Sequence, residues 1–477
     1  MLENKNLFEL QGKHILPSSS VVEEKLNKLL QNDKFKIVVL DDDPTGTQTV
    51  HGVHIYTNWD YESILKGFKE KNRMFFILTN SRAFTTVKTK EVHEEIAKSI
   101  IRASEETGKK FIIVSRGDST LRGHYPLETL VLKNTIEKIS DIKIDGEIII
   151  PFFQEGERYT VDNIHYAYDG DELVPVAETE FAKDKTFGYS NSHLGKWIEE
   201  KTEGEYKSQD ITYVSIKELR ALEYNNITNK LLKVDNFNKV VVNALDYIDI
   251  KIFITALMRA INENKNFILR SASSVTKIIG GIKEKSLLSS EELIDKDNPN
   301  GGVVIVGSHV NKTTKQLENL IERVDIEPIE FNQHLVLDDE AFSKELNRVI
   351  NLAEESIVQG RNVVVFTKRE RFDLGTTNKE EELIIAVKIS NAITSIVERL
   401  KLKPSFIVGK GGITSSDIAT KGLAVKKALV IGQIRPGVPV WLTGSESKFP
   451  NIPYIIFPGN VGNENDLTEI VKLFKRK

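Results

Sequence analysis

Lys36-Ile37-Val38-Val39-Leu40 is a short β-branched apolar run, and it ends directly in Asp41-Asp42-Asp43-Pro44-Thr45-Gly46-Thr47-Gln48. A run that stays apolar, instead of alternating, suits a strand covered on both faces, as in a parallel sheet. The pattern recurs at Met74–Thr79, Phe111–Ser115 and Glu147–Pro151, with helix-like stretches such as Lys90–Glu105 between. Such alternation predicts βαβ units and a doubly wound sheet in the N-terminal half. A second series, Val303–Val306, Val363–Phe366, Phe406–Val408 and Ala428–Ile431, comes after the polar stretch Glu291–Gly302 and predicts a second α/β domain. Within it Ile385, Ile389, Ala392, Ile393, Ile396 and Leu400 recur at helical spacing, which predicts one core-facing stripe. Val240–Val242 and Phe267–Arg270 still read as α/β core, so the linker is expected near residues 275–300. The expected fold is α/β, with two domains (1–285 and 286–477), each a largely parallel sheet flanked by helices. Ligand sites favour clefts between domains, and the active site is expected there.

A chain of 477 residues with 40% hydrophobic content is long enough for two such cores. Its 65 Lys and Arg against 69 Asp and Glu give a net charge of -4, which offers no global attraction for nucleic acid or an anionic membrane. The absence of cysteine excludes disulfides, thiolate chemistry and Cys-ligated zinc. Met1 to Lys13 is charged with no apolar h-region, and no later run approaches a bilayer span, so a soluble, cytoplasmic protein is expected. None of the nine histidines, from His14 to His334, makes an H-E-x-x-H spacing, and His51 and His54 read as packing or surface residues near a strand. A transition-metal site is not expected.

Ligands of open parallel sheets sit at the carboxyl ends of strands, so the residues just beyond each strand carry the chemistry. The first strand ends in Asp41-Asp42-Asp43, whose charges repel unless a cation, a basic side chain or a hydroxyl-rich ligand stabilises them. An Asp-rich turn start with solvated charges is the plain alternative. The second ends in Thr79-Asn80-Ser81-Arg82, and Arg is suited to bidentate carboxylate recognition, by a ligand or by Asp42 or Asp43. The third ends in Ser115-Arg116-Gly117-Asp118-Ser119-Thr120-Leu121-Arg122-Gly123-His124, the densest cluster of acid, hydroxyl and base in the chain. Three such endings on one edge point to a substrate site. There Arg82, Arg116 and Arg122 could hold a carboxylate, while Asp42, Asp43 and Asp118 could accept hydroxyl hydrogen bonds.

In the second domain, Phe406–Val408 runs into Gly409-Lys410-Gly411-Gly412-Ile413-Thr414-Ser415-Ser416-Asp417, followed by helix-like Ile418–Leu423. A glycine-rich turn before a helix offers free backbone N–H groups to an anion such as phosphate. Neither a Walker A loop nor G-x-G-x-x-G occurs here. Val306-Gly307-Ser308-His309 and Phe457-Pro458-Gly459-Asn460-Val461-Gly462 likewise place glycine after an apolar run. Three such segments favour a nucleotide pocket.

Taken together, these residues resemble the four-carbon acid sugar kinases, a family first catalogued as a domain of unknown function. The resemblance covers nearly the whole chain and rests on Asp42-Asp43-Pro44-Thr45-Gly46, Asp118-Ser119-Thr120-Leu121-Arg122-Gly123, Gly307-Ser308, Gly411-Gly412-x-Thr414 and Pro436-Gly437-Val438-Pro439. It implies an N-terminal domain that binds the acid sugar and a C-terminal domain that binds ATP. It further implies phosphorylation of the terminal hydroxyl of erythronate, threonate or 3-oxo-tetronate. Asp42, Arg82 and the Arg116–Ser119 segment would bind substrate, while Ser308, Gly411, Gly412, Ile413, Thr414 and Gly459 would contact the nucleotide. Ile413 stands where many members have Asp, so backbone cradling survives there but a side-chain role with magnesium does not. Mg²⁺ would arrive with ATP, its protein ligands unassigned.

Phosphoryl transfer needs positioning and charge neutralisation, so one carboxylate near the attacking hydroxyl suffices. Asp118 and Asp42 are the competing candidates for that base. A non-catalytic sugar-acid sensor and, further off, a nicotinamide-dependent dehydrogenase are the alternative functions. The expected partners are a small sugar acid and ATP, with a homo-oligomer compatible with either.

Overall fold

The computed structural model describes residues 4–13, 15–32, 34–169, 172–375, 379–459 and 461–475. His14 and Asn460, named above, lie outside them. The chain divides into two compact units, Met1–Thr49 with Asn58–Glu284 and Val50–Thr57 with Lys285–Lys477. Its strands begin with β1 (Lys36–Asp41), β2 (Val53–Tyr56), β3 (Met74–Leu78), β4 (Phe111–Arg116), β5 (Gly146–Ile150) and β6 (Arg158–Val161). They continue with β7 (Ile164–Asp169), β8 (Glu172–Pro175), β9 (Thr212–Val214), β10 (Asn238–Val242), β11 (Phe267–Ser271) and β12 (Val303–Val306). The last are β13 (Glu327–Phe331), β14 (Val363–Thr367), β15 (Ile407–Lys410), β16 (Lys427–Arg435), β17 (Val438–Thr443) and β18 (Pro453–Phe457).

The main sheet of the first unit has the order β3-β1-β4-β11-β5-β10-β9, with every neighbour parallel. β1 and β3 are buried at every position, as an all-apolar run covered on both faces requires. The helix Thr86–Thr107 flanks this core. Thr85 caps its start by accepting from the Lys88 N–H, and Gly108 ends it in the left-handed region. A small antiparallel sheet, β6-β7-β8, belongs to the same unit.

Two strands run one residue further than their apolar runs, and this matters. Asp41 is the last residue of β1 and Arg116 the last of β4, and the parallel register pairs them directly. The chain passes from β1 to β3 on one side and later fills β4 on the other, so a switch-point crevice lies beyond β1 and β4.

The second unit has a parallel run β13-β14-β12-β15-β18, extended by β17, β16 and β2 in antiparallel pairing. The segment expected at Ala428–Ile431 is thus part of an antiparallel strand. Here the chain fills β13 and β14 on one side of β12 before β15 on the other, which puts the switch point between β12 and β15. The strand expected at Phe406–Val408 is Ile407–Lys410. Gly409 and Lys410 are ladder residues opposite Ile456 and Phe457, not a turn. The helix begins at Gly412, directly after Gly411, and passes at Ile418–Gly422 into a π-helical turn, so it starts earlier than the apolar pattern indicated.

The predicted stripe lies on the helix Lys379–Arg399. Ala392, Ile393 and Ile396 are buried, as is Leu400 just beyond, whereas Ile385 and Ile389 are half-buried, so only the C-terminal half faces core. Among the described residues no helix is long and apolar enough to cross a membrane.

Candidate functional site

The β1–β4 crevice of the first unit holds a dense network of arginines and aspartates. Arg116 spreads its guanidinium over the whole Asp triplet. Its Nη1 donates to Asp42 Oδ1 (3.0 Å) and its Nη2 to Asp43 Oδ1 (3.1 Å). Nε stands 2.8 Å from Asp41 Oδ1, at an angle too poor for a hydrogen bond. Arg82 grips Asp42 with two bonds, Nε to Oδ2 (3.1 Å) and Nη2 to Oδ1 (2.8 Å), and also pairs with Asp43. Its Nη1 lies 3.7 Å from Asp118 Oδ1. Arg122 donates from Nε to Asp118 Oδ2 (2.8 Å), which also accepts from Thr120 Oγ1. Asp118 Oδ1 accepts no hydrogen bond among the described residues.

Burial and pairing set these charges apart. Burial drives Asp41 well above the usual carboxylate range, against the opposing pull of Arg116. Asp42 is also raised, burial outweighing Arg82 and Arg116. For Asp43 the balance reverses: burial pushes upward, but Arg82, Arg116 and the bonds from Thr45 hold it down at about 2. Asp118 is likewise pushed up by burial and held well below the usual range by Arg82 and Arg122. Asp43 is also a plain turn cap, since it closes the 3₁₀ turn Pro44–Thr47 by accepting from the Thr45 N–H (2.8 Å). Asp41, Asp42 and Asp43 could together hold a cation. Arg116 already lies among them, and its charge does what a metal would do.

Gly46 makes the close packing possible, because a Cβ there would collide with the Asp41 carboxylate and with Arg116 Nε. Gly46→Ala is therefore expected to destabilise the first unit by about 2 kcal/mol. Chemical unfolding of the variant checks this, and a midpoint equal to the wild type's would mean the cluster has room to spare.

The loop 118–123 is held from the β6–β7 hairpin side. His165 is fully buried, with Nε2 2.7 Å from Ser119 O and Nδ1 2.9 Å from Thr160 Oγ1. One neutral tautomer satisfies both: Nε2–H donates to the carbonyl and Nδ1 accepts from the hydroxyl. The Tyr189 hydroxyl donates to Thr120 O (2.7 Å). Burial pulls His165 down to about 4. An unfolded His protonates near 6.5 and the folded one only near 4, so the unfolded state binds more protons between these values. Its contribution is complete above the upper value and is lost as pH falls through that window, by about 3 kcal/mol. Thermal unfolding from pH 7 to 4 should show this slope in the wild type and a flatter one in His165→Gln.

In the second unit the β12–β15 switch point gathers the glycine segments. A Cβ on Gly307 would lie 2.5 Å from Thr414 Oγ1, and one on Gly411 3.3 Å from the Ser308 side chain. Thr313 Oγ1 lies 3.3 Å from Ser308 Oγ and donates to Gly459 O (3.2 Å). Ser308, Gly411, Thr414 and Gly459 therefore converge, with Gly412 next in line. Ile413 is 70% exposed and Val310 51%, leaving apolar side chains bare at the starts of the two helices that follow these strands. Lys410 is fully buried, and its Nζ donates to Pro458 O (2.6 Å) and sits 3.7 Å over the Phe457 ring, tying the two glycine segments together. Burial, helped by Lys312, pulls it down to about 7.

Residues 37–279 match the model of a sugar-binding N-terminal domain, more than half of the chain, and residues 303–467 match that of a nucleotide-binding C-terminal domain. The chain belongs to the four-carbon acid sugar kinase family. No curated protein matches it significantly. Among solved structures, the fold of this family member is similar to that of the Haemophilus influenzae protein HI1011, from a family of unknown function. That likeness has 18% identity and a TM-score of 0.60, over 92% of this chain and 100% of the other. It is also similar to a Salmonella typhimurium LT2 protein provisionally named a tRNA synthase, with 14% identity and a TM-score of 0.64 over 91% and 98% of the two chains. At these identities the likeness shows the fold.

The family motifs do not include two cations that the structure puts at these sites. Arg369, just after β14, donates from Nη2 to Ser308 O (2.6 Å) and to Thr314 Oγ1 (2.9 Å), while its Nη1 is buried without a hydrogen-bond partner. Its signal was its position at the carboxyl end of the apolar run Val363–Phe366, the same position that singles out Asp42, Arg82 and Arg116 in the first domain. Arg158 opens β6 in the first unit, and the sequence carried no signal for it.

Proposed function

We propose that the protein is an ATP-dependent kinase that phosphorylates the terminal hydroxyl of a small sugar acid, four-carbon acids such as erythronate, threonate or 3-oxo-tetronate being the best candidates. The observation that carries this reading is the pairing of two switch-point sites in one chain. One is a hydroxyl- and acid-reading Arg–Asp cluster on a sugar-binding domain, the other a glycine-lined, cation-edged crevice on a nucleotide-binding domain. On this reading Ser308, the backbone of Gly411 to Thr414, Gly459 and Arg369 take the nucleotide, its phosphates meeting backbone N–H groups and the guanidinium.

Asp118 Oδ1 accepts the proton of the attacking hydroxyl. The new O–P bond forms to the γ-phosphorus as the bond to the ADP oxygen breaks, leaving a phosphate ester, ADP and one proton. A carboxylate as acidic as Asp118 suits a loose transition state, in which the proton leaves late and little basicity is needed. Arg82 fixes Asp118 beside Asp42, so acceptors for several hydroxyls lie in one rigid frame. Mg²⁺ would enter on the ATP phosphates, because Arg116 occupies the one acidic trio found among the described residues.

The test is ATP consumption by the purified protein with Mg²⁺ against erythronate, threonate and 3-oxo-tetronate stereoisomers, with product masses checked. A single phosphorylated product is the expected result. ATP binding with silence across the panel would sink the kinase reading for these acids and turn attention to a sensor.

A further inference from the structure

Four arginines lie in or near the Arg–Asp network, Arg158 within electrostatic reach of Asp118, and the other three are spoken for. Arg116 is bonded to Asp42 and Asp43 and abuts Asp41, Arg82 pairs with Asp42, Asp43 and Asp118, and Arg122 pairs with Asp118. Arg158 differs. Among the described residues no carboxylate comes within 4.0 Å of it. Its Nη1 donates to the backbone carbonyls of Gly156 and Glu157, and its Nε is buried without a hydrogen-bond partner. Its guanidinium carbon lies 5.4 Å from the centre of the Phe181 ring, and that of Arg122 lies 5.0 Å from the same centre.

Arg158 is half-buried with its Nε shielded from solvent, and a guanidinium partly withdrawn from water without a counter-charge is costly, so proteins keep one where something else supplies the charge. We infer that Arg158, which shares the Phe181 ring with Arg122, forms the carboxylate-recognising end of the sugar-acid site and sets its preference for acids. This rests on the kinase reading for its substrate class. The electrostatics agree with the geometry. Burial pulls Arg158 below the ordinary guanidinium range, with Asp118 and Glu157 opposing and Arg122 adding to the pull. Arg82, Arg116 and Arg122 stand above that range because their aspartates overcome burial. An incoming carboxylate would do for Arg158 what the aspartates do for the others. Arg is suited to the task, since its planar fork meets a carboxylate with two parallel bonds. Arg82 and Arg116, which the sequence also offered for this role, would have to give up bonds to their own aspartates to perform it.

The experiment uses the full chain and the variants Arg158→Gln and Arg158→Lys, with Mg²⁺ and ATP, against erythronate and threonate. Arg158→Gln is expected to raise the KM for the acid at least tenfold, with the KM for ATP within about twofold and kcat far less affected than KM. Arg158→Lys, which keeps charge but not the fork, should fall between. An unchanged KM for the acid overturns the inference, as does a loss confined to kcat. If the wild type transfers no phosphoryl group yet is stabilised thermally by an acid, the kinase reading fails and the inference is judged on that shift. Its loss in Arg158→Gln supports the assignment, and its retention overturns it. A wild type neither turning over nor stabilised by any acid overturns both. Should Arg158→Gln not fold, Arg158→Lys carries the same readouts.

Discussion

Asp118→Asn is expected to lower kcat by about 10²- to 10⁴-fold, the usual worth of a positioned general base, while leaving the KM for ATP near the wild-type value. Steady-state kinetics with the acid identified by the substrate screen measures it, and a variant at full rate removes Asp118 from the role. The expectation rests on geometry. Both Oδ2 bonds of Asp118 go to Arg122 and Thr120, which fixes the carboxylate, and Oδ1 is left as an acceptor. Asp42, the rival, has both oxygens committed, Oδ1 to Arg82 and Arg116 and Oδ2 to Arg82.

The pH profile separates the two independently of mutagenesis. Asp118 is held well below the usual carboxylate range in the free protein, so with Asp118 as base its acid limb in kcat/KM falls below that range too. Asp42 is held above its ordinary value, so with Asp42 as base activity would already decline at a higher pH. An acid limb above the ordinary carboxylate value would favour Asp42.

Much of this architecture was legible because the chain punctuates its strands clearly. Apolar runs such as Lys36–Leu40 and Met74–Thr79 are buried on both faces, and each ends in residues that cannot continue the pattern. The convergence of Asp41–Asp43, Arg82 and Arg116–Arg122 came from a single rule, that parallel strands point their carboxyl ends one way. The rule does not say which partner each charge takes. That depends on register, which pairs Asp41 with Arg116, and on a contact as local as Gly46 against both. Arg158 and His165 were hidden for another reason. They come from the hairpin inserted after β5, where neither periodicity nor spacing relates His165 to the loop it supports or Arg158 to the Phe181 ring it shares with Arg122. In the second unit Lys410 read as part of a glycine turn because glycine neighbours dominate the local pattern. The ladder to β18 overrides that preference and buries the ammonium.

Arg116→Met is expected to destabilise the protein by about 3 kcal/mol, because it leaves Asp41, Asp42 and Asp43 with Arg82 as their one remaining counter-charge. For a unit of this size the melting temperature should fall on the order of 10 °C. The deficit should depend on pH with a definite sign. Without Arg116, Asp42, already held above its ordinary value, is pushed further up in the folded state, while Asp43 keeps Arg82 and its bonds from Thr45. The folded variant then binds the extra protons, and it recovers stability as pH falls from neutral toward the unfolded carboxylate value. Thermal unfolding at pH 7.5 and 5 should therefore show the larger gap from wild type at pH 7.5. Asp41→Asn supplies the contrast. Burial holds Asp41 well above the usual range and neither of its carboxyl oxygens makes a hydrogen bond, so its amide should cost less than the loss of Arg116. If Arg116→Met and Asp41→Asn were equally mild, the cluster would not be held together by charge, and the arginine would be free to serve a ligand's carboxylate instead.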